Sequence, residues 1–238
     1  MRIKVTFSYD GSKFNGFQRQ KVSRSVQKTL EDALKSIYGE EVFIKGSGRT
    51  DAGVHANGQV CHFDAPTKID NLKSKLNNLL LPDIVIKKVQ IVNDDFHARC
   101  NVKKKEYIYK IYLGKYKSAL KDYYYEPSFK LDISLMKEAA KYMIGTHDFH
   151  NFVSGERDNY VTTIYDISFN KMFDKLEIHF IGTGFYRYMI RNLMGALIDV
   201  GRCKERSSVI EKMLNNPDDN LQLMTAPPEG LYLNKIWY

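Results

Sequence analysis

The sequence of 238 residues predicts an α+β fold of two abutting α/β domains, residues 1–100 and 101–238. In the first half the residue patterns predict strand, helix, strand, strand, helix and strand, and the second half echoes that order. No Pro-rich or Ser-rich linker, low-complexity tract or fixed-period repeat separates the halves. With 43% hydrophobic residues the chain can bury one large core or two modest ones, and the repeated order of elements favours two.

The first half opens with a strand and a helix. Apolar residues alternate, as in a half-buried strand, at Ile3, Val5, Phe7 and Tyr9. After a glycine-containing loop, apolar residues recur every four positions at Val26, Leu30, Leu34 and Tyr38. This spacing predicts a helix whose N-cap is Ser25.

A glycine-rich loop lies between two further strands of the first half. A short strand at residues 42–45 leads into the loop GSGRTDAGVHANG, and GQVCHF follows as a strand. Leu72, Leu76 and Leu79 predict a second helix, and another strand begins at Ile84 after a Pro-Asp turn signal. The loop is therefore expected to be held by a strand at each end.

The second half begins with a long strand at residues 102–113. Along this strand Tyr107, Tyr109 and Ile111 face one way, whereas Ile108 and Lys110 face the other. The remaining predicted elements are a helix near 133–143, strands near 162–169 and 176–181, and a helix from about 185 to 200.

The charge of the chain favours a polyanionic partner. There are 36 Lys and Arg against 28 Asp and Glu, which gives a formal net charge of +8 and a pI near 9.2. These charges are spread along the chain and not gathered in a tail. A basic folded surface favours nucleic acid, although the same charge also serves solubility alone.

The cysteine pattern and the N-terminus indicate a cytoplasmic protein. Cys61, Cys100 and Cys203 are odd in number, lie far apart and form no Cys-x-x-Cys pair, which favours a reduced chain. The alternating N-terminus lacks the apolar stretch of a signal peptide. No run approaches the roughly 18 apolar residues that span a bilayer.

Three glycines surround an arginine, an aspartate and a histidine in the loop from Gly46 to His55. Glycine permits positive φ and a close approach of the backbone to a ligand. Arg49 and Asp51 stand two apart, so in an extended stretch they point the same way and can pair. A guanidinium beside a carboxyl lowers its pKa and keeps it ionised, ready to act as nucleophile or base. The alternative is a tight turn with a surface ion pair.

Further motifs follow one another from the first strand to the last. They are Tyr9-Asp10-Gly11-Ser12, Gly16-Phe17-Gln18-Arg19-Gln20, Val26-Gln27-x-x-Leu30-Glu31-x-Ala33-Leu34, Phe96-His97-Ala98-Arg99, Tyr107-x-Tyr109, Met189-Ile190-Arg191-Asn192 with Gly195, and Ala226-Pro227-Pro228-Glu229-Gly230-Leu231. Together with the loop Gly46–His55, this set closely resembles the TruA family of tRNA pseudouridine synthases.

The resemblance implies three catalytic residues. It makes Asp51 the catalytic carboxylate, stacks Tyr109 on the target base as a candidate general base, and pairs Arg191 with Asp51. Without the resemblance, Tyr109 reads as a core aromatic residue on an apolar strand face. Arg191 has some independent support, because Arg187 lies one helical turn away and puts a second cation on an apolar helix. Two surface arginines are the alternative there.

A further set of residues is expected to contact RNA. Its members are Gln18, Arg19, Arg49, His55, Arg99, Lys103, Lys104, Lys105, Tyr109 and Arg187. The lysine run also fits a solvated strand end. Two positions depart from the usual family pattern, since Phe17 stands where Trp is common and Arg187 where apolar residues or His are common.

No metal or cofactor is expected. His147 and His150 have a spacing that suits two metal ligands, but no carboxylate or Cys cluster completes a site, so both are interpreted as structural. Cys61 and His62 are interpreted as neighbours on a strand. No phosphate-binding or dinucleotide-binding glycine motif is present in the sequence.

The resemblance implies an enzyme that isomerises uridine in the anticodon stem-loop of tRNA, at positions 38, 39 and 40. It also implies a homodimer, and mostly antiparallel sheets covered by helices that form a basic cleft. Two alternatives stay open: a paralogue that modifies another RNA such as ribosomal RNA, and a non-catalytic RNA-binding protein. A metal-dependent nuclease would need clustered acidic residues, and the sequence shows none.

Overall fold

The structure, a computed structural model, describes residues 1–216 and 223–238. It divides into two compact units, the first comprising Met1–Lys103 with Tyr232–Tyr238, and the second Lys104–Leu231. The predicted division after residue 100 lies three residues before that boundary. The last seven residues belong to the first unit, although the sequence pattern had grouped them with the second half.

Nine strands and five α-helices are interspersed along the described part of the chain. The strands are β1 Arg2–Tyr9, β2 Lys45–Gly46, β3 His55–Asp64, β4 Ile84–Val92, β5 Lys104–Tyr112, β6 Gly145–Asp148, β7 Val161–Met172, β8 Lys175–Gly182 and β9 Leu231–Trp237. The α-helices are α1 Val26–Tyr38, α2 Leu72–Leu80, α3 Ile133–Ala140, α4 Met189–Gly201 and α5 Ser208–Asn215. The predicted α+β class is confirmed.

The sheet of the first unit has the strand order β4-β1-β3-β9, with β2 paired to β3. Its pairs are antiparallel, except that β9 runs parallel to β3 and places Tyr232 opposite His55. The predicted strand at residues 42–45 is reduced to β2, which covers only two residues. β2 ends at Gly46 and the ten-residue β3 begins at His55, so both strands take in part of the predicted loop and leave Ser47–Val54 between them.

The first helix forms as its sequence pattern predicts. Val26, Leu30 and Leu34 are buried, and the Ser25 hydroxyl accepts a hydrogen bond from the Lys28 N–H at the N-terminus. Gly39 ends the helix in the left-handed conformation, with φ of 79°. Burial of one apolar face therefore explains why this segment is helical.

The second helix differs from the prediction by one position. Leu72, Leu76 and Leu80 are buried, whereas Leu79 is 54% exposed. Both Leu79 and Leu80 fit a helical repeat, and the packing of α2 against β4 selects Leu80 for the core.

The second unit has an antiparallel sheet in the order β5-β8-β7-β6. Helix α3 packs on α4, whose Gly201 carbonyl accepts a hydrogen bond from the Asp132 N–H. Both faces of β5 are covered, because Ile108 and Tyr112 are buried as well as Tyr109. None of the helices in the described part of the chain combines the length and the apolar character needed to cross a bilayer.

Helix α4 begins at Met189 and not at about residue 185 as predicted. Tyr188 has φ of 62° and ψ of −7°, in the left-handed region, so the residues before it do not belong to the helix. The sequence pattern contains no glycine at this position to signal such a start.

Candidate active site

The loop Ser47–Val54 is fixed to its surroundings through its backbone. The Ser47 N–H donates to the Val60 carbonyl at 2.8 Å, and the Thr50 carbonyl accepts from the Phe17 N–H at 3.0 Å. A turn closes where the Val54 N–H donates to the Asp51 carbonyl at 3.2 Å. Asp51 is half-buried at the first position of that turn. The carboxylate is thus carried by a backbone that is hydrogen-bonded on both sides.

Strand β1 and the segment that follows it pack against this loop. The Tyr9 hydroxyl lies 2.8 Å from the Thr50 Oγ1, and both residues are buried. Burial raises the pKa of Tyr9 to about 12. Gly16, with φ of 91°, passes so close that a Cβ there would lie 2.9 Å from the Thr50 carbonyl oxygen. Only glycine permits this approach and this backbone conformation.

His55 is a buried support of the same loop. Its Nδ1 accepts a hydrogen bond from the Gly11 N–H at 3.0 Å, and its ring stacks on Tyr232 with 4.5 Å between centroids. Because Nδ1 is an acceptor, the ring nitrogen beside Asp10 carries no proton. With 2% of its surface exposed, the His55 ring is occupied by protein contacts, and its predicted RNA contact stays a prediction.

Arg49 does not form the ion pair that its spacing from Asp51 suggests. It is exposed, and in the part of the chain that the structure describes it makes no ion pair with Asp51. Between them, the Thr50 carbonyl accepts a hydrogen bond from the Phe17 N–H, and a turn follows Asp51. Asp51 does make an interaction with another residue.

In the second unit, a segment that we call the strap, residues 224–230, lies along α4. Gly195 permits this contact, because a Cβ there would overlap the carbonyl oxygen of Met224. The Met224 N–H donates to the fully buried carboxylate of Asp199 at 3.2 Å. The Thr225 hydroxyl donates to the Asn192 amide oxygen at 2.8 Å. Three contacts one helical turn apart therefore fasten the strap to one face of α4.

The strap holds Tyr109. The Tyr109 hydroxyl donates to the Pro227 carbonyl at 2.9 Å, and the ring has no exposed surface. Gly230 lets the strap approach the ring, since a Cβ there would lie 2.9 Å from the ring atom that bears the hydroxyl. Burial raises the pKa of Tyr109 well above its usual value, and the charge of Glu229 raises it further. The phenol is therefore neutral at physiological pH.

The strap also holds Arg191. The Arg191 Nε donates to the Ala226 carbonyl at 2.7 Å, and the Ala226 N–H donates back to the Arg191 carbonyl at 2.9 Å. The guanidinium lies 4.8 Å from the centre of the Tyr188 ring. Burial raises the pKa of Glu229 in the strap, and the charge of Arg191 opposes this rise. Tyr109 and Arg191, which are 82 residues apart in sequence, are thus positioned by one segment.

The predicted RNA contacts differ in their surroundings. Six are exposed: Gln18, Arg19, Arg49, Arg99, Lys103 and Arg187. Lys104 and Lys105 are half-buried and have partners of their own. Arg19 is engaged with the protein, since its guanidinium lies 2.7 Å from the buried carboxylate of Glu31.

The two histidines whose spacing suits metal ligands contact other protein groups. His147 contacts the Ile144 carbonyl, and His150 contacts the Tyr160 ring.

A family model described as tRNA pseudouridine synthase matches residues 5–101 and 139–238. The matched ranges include the Asp51 loop, α4 and the strap. The chain belongs to the tRNA pseudouridine synthase family. The predicted enzyme class is confirmed, namely an isomerase that converts uridine to pseudouridine.

Curated relatives of this family match over their whole length. The tRNA pseudouridine synthase A of Bacillus licheniformis is 41% identical over 245 residues, which cover 100% of this chain and 99% of the relative. The Bacillus subtilis enzyme of the same name is also 41% identical, with the same coverage. That of Thermodesulfovibrio yellowstonii is 40% identical, with 100% of both chains covered.

Among solved structures, a match is the crystal structure of the archaeal box H/ACA sRNP Nop10–Cbf5 complex. The identity is 13% and the TM-score 0.38, with 82% of this chain and 43% of that chain covered. At this level of likeness the family assignment rests on the curated relatives and the family model alone.

Sequence patterns did not reveal how the synthase supports its proposed catalytic residues. The strap lies in the motif Ala226–Leu231, but its contact with α4 was not predicted. Tyr9 belongs to the motif Tyr9-Asp10-Gly11-Ser12, and its buried hydroxyl contacts the hydroxyl of Thr50. In both cases the sequence does offer a signal for the supporting contact. It is a polar residue or a glycine within a family motif, at a position where hydrophobic packing alone requires neither.

Proposed function

We propose that the synthase acts on uridines at positions 38, 39 and 40 of the tRNA anticodon stem-loop, with Asp51 as its catalytic carboxylate. One observation carries the assignment of Asp51: the loop backbone is hydrogen-bonded at Thr50 and Val54, while Asp51 between them stays half-buried and reachable. A fixed backbone holds a carboxylate in one place relative to a sugar, which is what preorganised catalysis requires.

The reaction needs an anionic group beside the ribose. It breaks the bond between N1 of uracil and C1′ of ribose, turns the base and joins C5 to C1′. The C5 proton leaves and N1 gains a proton, so no cofactor or energy source is consumed. Asp51 can attack C1′, attack the uracil ring or take a proton from the ribose. Each route requires the ionised carboxylate, and we propose that Arg191 keeps it ionised.

We propose that Tyr109 contacts the target base and does not act as the general base. Its proton is donated to the Pro227 carbonyl, and its raised pKa disfavours the phenolate at neutral pH. Removal of the C5 proton therefore falls to water or to another group. Tyr109 has no exposed surface, so a base can reach its ring only after a local opening. Stacking would then recover about 1 to 3 kcal/mol of the cost of flipping the base out.

The basic surface supports RNA as the partner. The net charge of +8 favours association with a phosphate backbone. Exposed cations within the predicted set, such as Arg49, Arg99 and Lys103, suit contacts to phosphate groups. We infer that the shape of a structured RNA matters more than its bases, because cations on a protein surface meet phosphate groups whatever the base sequence.

We further propose a cytoplasmic homodimer. Cys61, Cys100 and Cys203 are free thiols, which supports a reducing compartment. The dimer rests on the family resemblance and is tested by light scattering on the purified protein. A monomer at working concentration would contradict it.

The decisive experiment measures tritium release from tRNA labelled at C5 of uridine. We expect Asp51→Asn to lower the rate at least about a hundredfold while tRNA affinity changes little, because the carboxylate acts in the chemical step. Asp70→Asn is the matched control, since the Asp70 side chain is 88% exposed. Base-resolved mapping then shows which uridines are modified. If the enzyme modifies ribosomal RNA fragments and leaves tRNA unmodified, the proposed tRNA substrate is refuted, but the catalytic role of Asp51 still stands.

A further inference from the structure

Two loops of the second unit, residues 153–160 and 183–188, carry arginines stacked on tyrosine rings. The guanidinium carbon of Arg157 lies 3.9 Å from the centre of the Tyr186 ring. Those of Arg187 and Arg191 lie 5.3 and 4.8 Å from the centre of the Tyr188 ring. We call this set the arginine–tyrosine ladder: Arg157, Tyr186, Arg187, Tyr188 and Arg191.

Hydrogen bonds fasten the two loops to each other and to the sheet. The Ser154 N–H donates to the Arg187 carbonyl at 3.1 Å. The Tyr186 hydroxyl donates to the Val161 carbonyl, the first residue of β7, at 2.9 Å. The Arg157 N–H donates to the Tyr160 hydroxyl at 3.1 Å. These bonds fix the backbone that carries the ladder residues. The ladder side chains therefore lose little conformational entropy when a ligand binds.

The conformation of Tyr188 costs free energy. Its φ of 62° lies in the left-handed region, which is disfavoured for a residue with a Cβ. This conformation sets the start of α4 and places the ring beside the guanidinium groups of Arg187 and Arg191. A bulky residue held in a disfavoured conformation next to a proposed catalytic residue points to a role in function.

The outer arginines are available for an anion. Arg157 and Arg187 are exposed, and within residues 1–216 and 223–238 neither guanidinium forms an ion pair or a hydrogen bond. Stacking occupies the face of a guanidinium and leaves its N–H edge free, which suits two parallel bonds to a phosphate. Exposed Glu156 and Asp158 flank Arg157 and oppose an anion there. Their effect supplies a test.

We propose that the arginine–tyrosine ladder binds phosphate groups of the RNA strand that flanks the target uridine. Arg191 is one end of the ladder and Arg157 is the other. An RNA strand whose target uridine contacts Arg191 therefore passes Tyr188 and Arg187 on its way to Arg157. The identity of the RNA rests on the proposed function, but the site is defined by these residues. The ladder deepens the predicted RNA contacts by adding Arg157 and Tyr186 to Arg187.

The test measures binding of tRNA to proteins that carry Asp51→Asn, so that affinity is read without turnover. We expect Arg157→Gln to weaken affinity about fivefold and to reduce the slope of log K against log salt by slightly less than one. Arg157→Lys keeps the charge and should restore most of the slope. Glu156→Gln and Asp158→Asn should each tighten binding, because they remove a negative charge beside the phosphate. Arg206→Gln, an exposed cation elsewhere in the unit, is the control.

Steady-state kinetics of the otherwise unaltered enzyme provide a second measurement. We expect Arg157→Gln to raise KM more than it lowers kcat, since the ladder holds the flanking strand and not the reacting atoms. Unchanged affinity and slope in Arg157→Gln, with no effect of Glu156→Gln, would overturn the ladder. Failure of wild type to modify anticodon-arm uridines would instead refute the proposed substrate, and the affinity measurements would still decide the ladder.

Discussion

The hydroxyl of Tyr109 donates a 2.9 Å hydrogen bond to the carbonyl of Pro227, and this bond ties the proposed base-contacting residue to the strap on α4. Arg191 donates to the neighbouring Ala226 carbonyl. One short segment therefore positions two proposed catalytic side chains, and the attachment of that segment to α4 can be altered far from either of them.

We expect Gly195→Ala to lower kcat at least about tenfold while tRNA affinity changes less. The added methyl group overlaps the Met224 carbonyl and pushes the strap off α4, which displaces the Pro227 and Ala226 carbonyls. A misplacement of about 1 Å costs roughly a hundredfold in well-ordered sites. Gly184→Ala is the control, because a Cβ there meets nothing within 4 Å. Equal rates for both variants would show that the strap does not position the site.

Tyr109→Phe separates the hydroxyl from the ring. It leaves the Pro227 carbonyl without its buried donor, which costs about 1 to 3 kcal/mol of folding free energy. We expect a lower melting temperature and a reduced kcat, with tRNA affinity largely kept, whereas Tyr109→Leu loses affinity as well. Because the wild-type phenol is neutral, its pH–rate profile should show no limb caused by Tyr109 ionisation between pH 7 and 9. If the wild-type profile does show a limb in this range and the limb disappears in Tyr109→Phe, Tyr109 is the general base after all.

How far the sequence predicts the fold depends on whether local spacing selects one arrangement. Helix α1 was predicted from residues four apart and a Ser N-cap, because burial of one face leaves no competing register. In α2 both Leu79 and Leu80 fit the repeat, and only contact with β4 separates them. The start of α4 was missed because Tyr188 adopts a conformation that sequence patterns assign to glycine.

For the candidate site, family motifs identified residues but not their environments. Asp51, Tyr109 and Arg191 were chosen from motifs, and their assignment as catalytic stays a proposal. The strap could not be predicted from spacing, because its bond to Arg191 joins residues 35 apart in sequence. The pairing of Arg49 with Asp51 is not seen among the described residues, and a spacing of two residues could not decide it, because it does not fix the direction of either side chain.

Alkaline pH should weaken the support of the Asp51 loop through Tyr9. Its folded pKa of about 12 exceeds the usual value of 10, so the neutral form is favoured in the fold. The corresponding stability is present below pH 10 and is lost as pH rises toward 12, by about 2 kcal/mol. We expect Tyr9→Phe to be less stable than wild type at pH 8 and to lose this deficit at pH 11.5 in denaturant unfolding. Tyr165→Phe, at a half-exposed side chain, is the control.

Arg19 should matter for stability as well as for RNA. Its guanidinium pairs with Glu31, a buried carboxylate that also accepts from the Ile44 N–H at 3.1 Å. We expect Arg19→Gln to lower the free energy of unfolding by about 1 to 2 kcal/mol, reduced from the cost of a fully buried pair because Arg19 is 44% exposed. Gln18→Ala, at the exposed neighbouring position, should leave stability unchanged. Unaltered stability in Arg19→Gln would free Arg19 for RNA contact alone.

The lysine run should contribute unequally to RNA binding, although its three members are identical in the sequence. Lys103 is exposed, and its backbone N–H donates to the Trp237 carbonyl, whereas Lys104 and Lys105 are half-buried and each interacts with the protein. A half-buried lysine gains less from a phosphate than an exposed one, since it must give up part of its contact with the protein to reach the phosphate. We therefore expect Lys103→Gln to reduce the salt slope of tRNA affinity by slightly less than one, and Lys104→Gln or Lys105→Gln to reduce it less. Titrations between 50 and 200 mM salt measure the three slopes, with Lys137→Gln, at an exposed position of α3, as the control. Equal slopes for the three lysine variants would mean that burial in the free protein does not decide which cations meet the RNA.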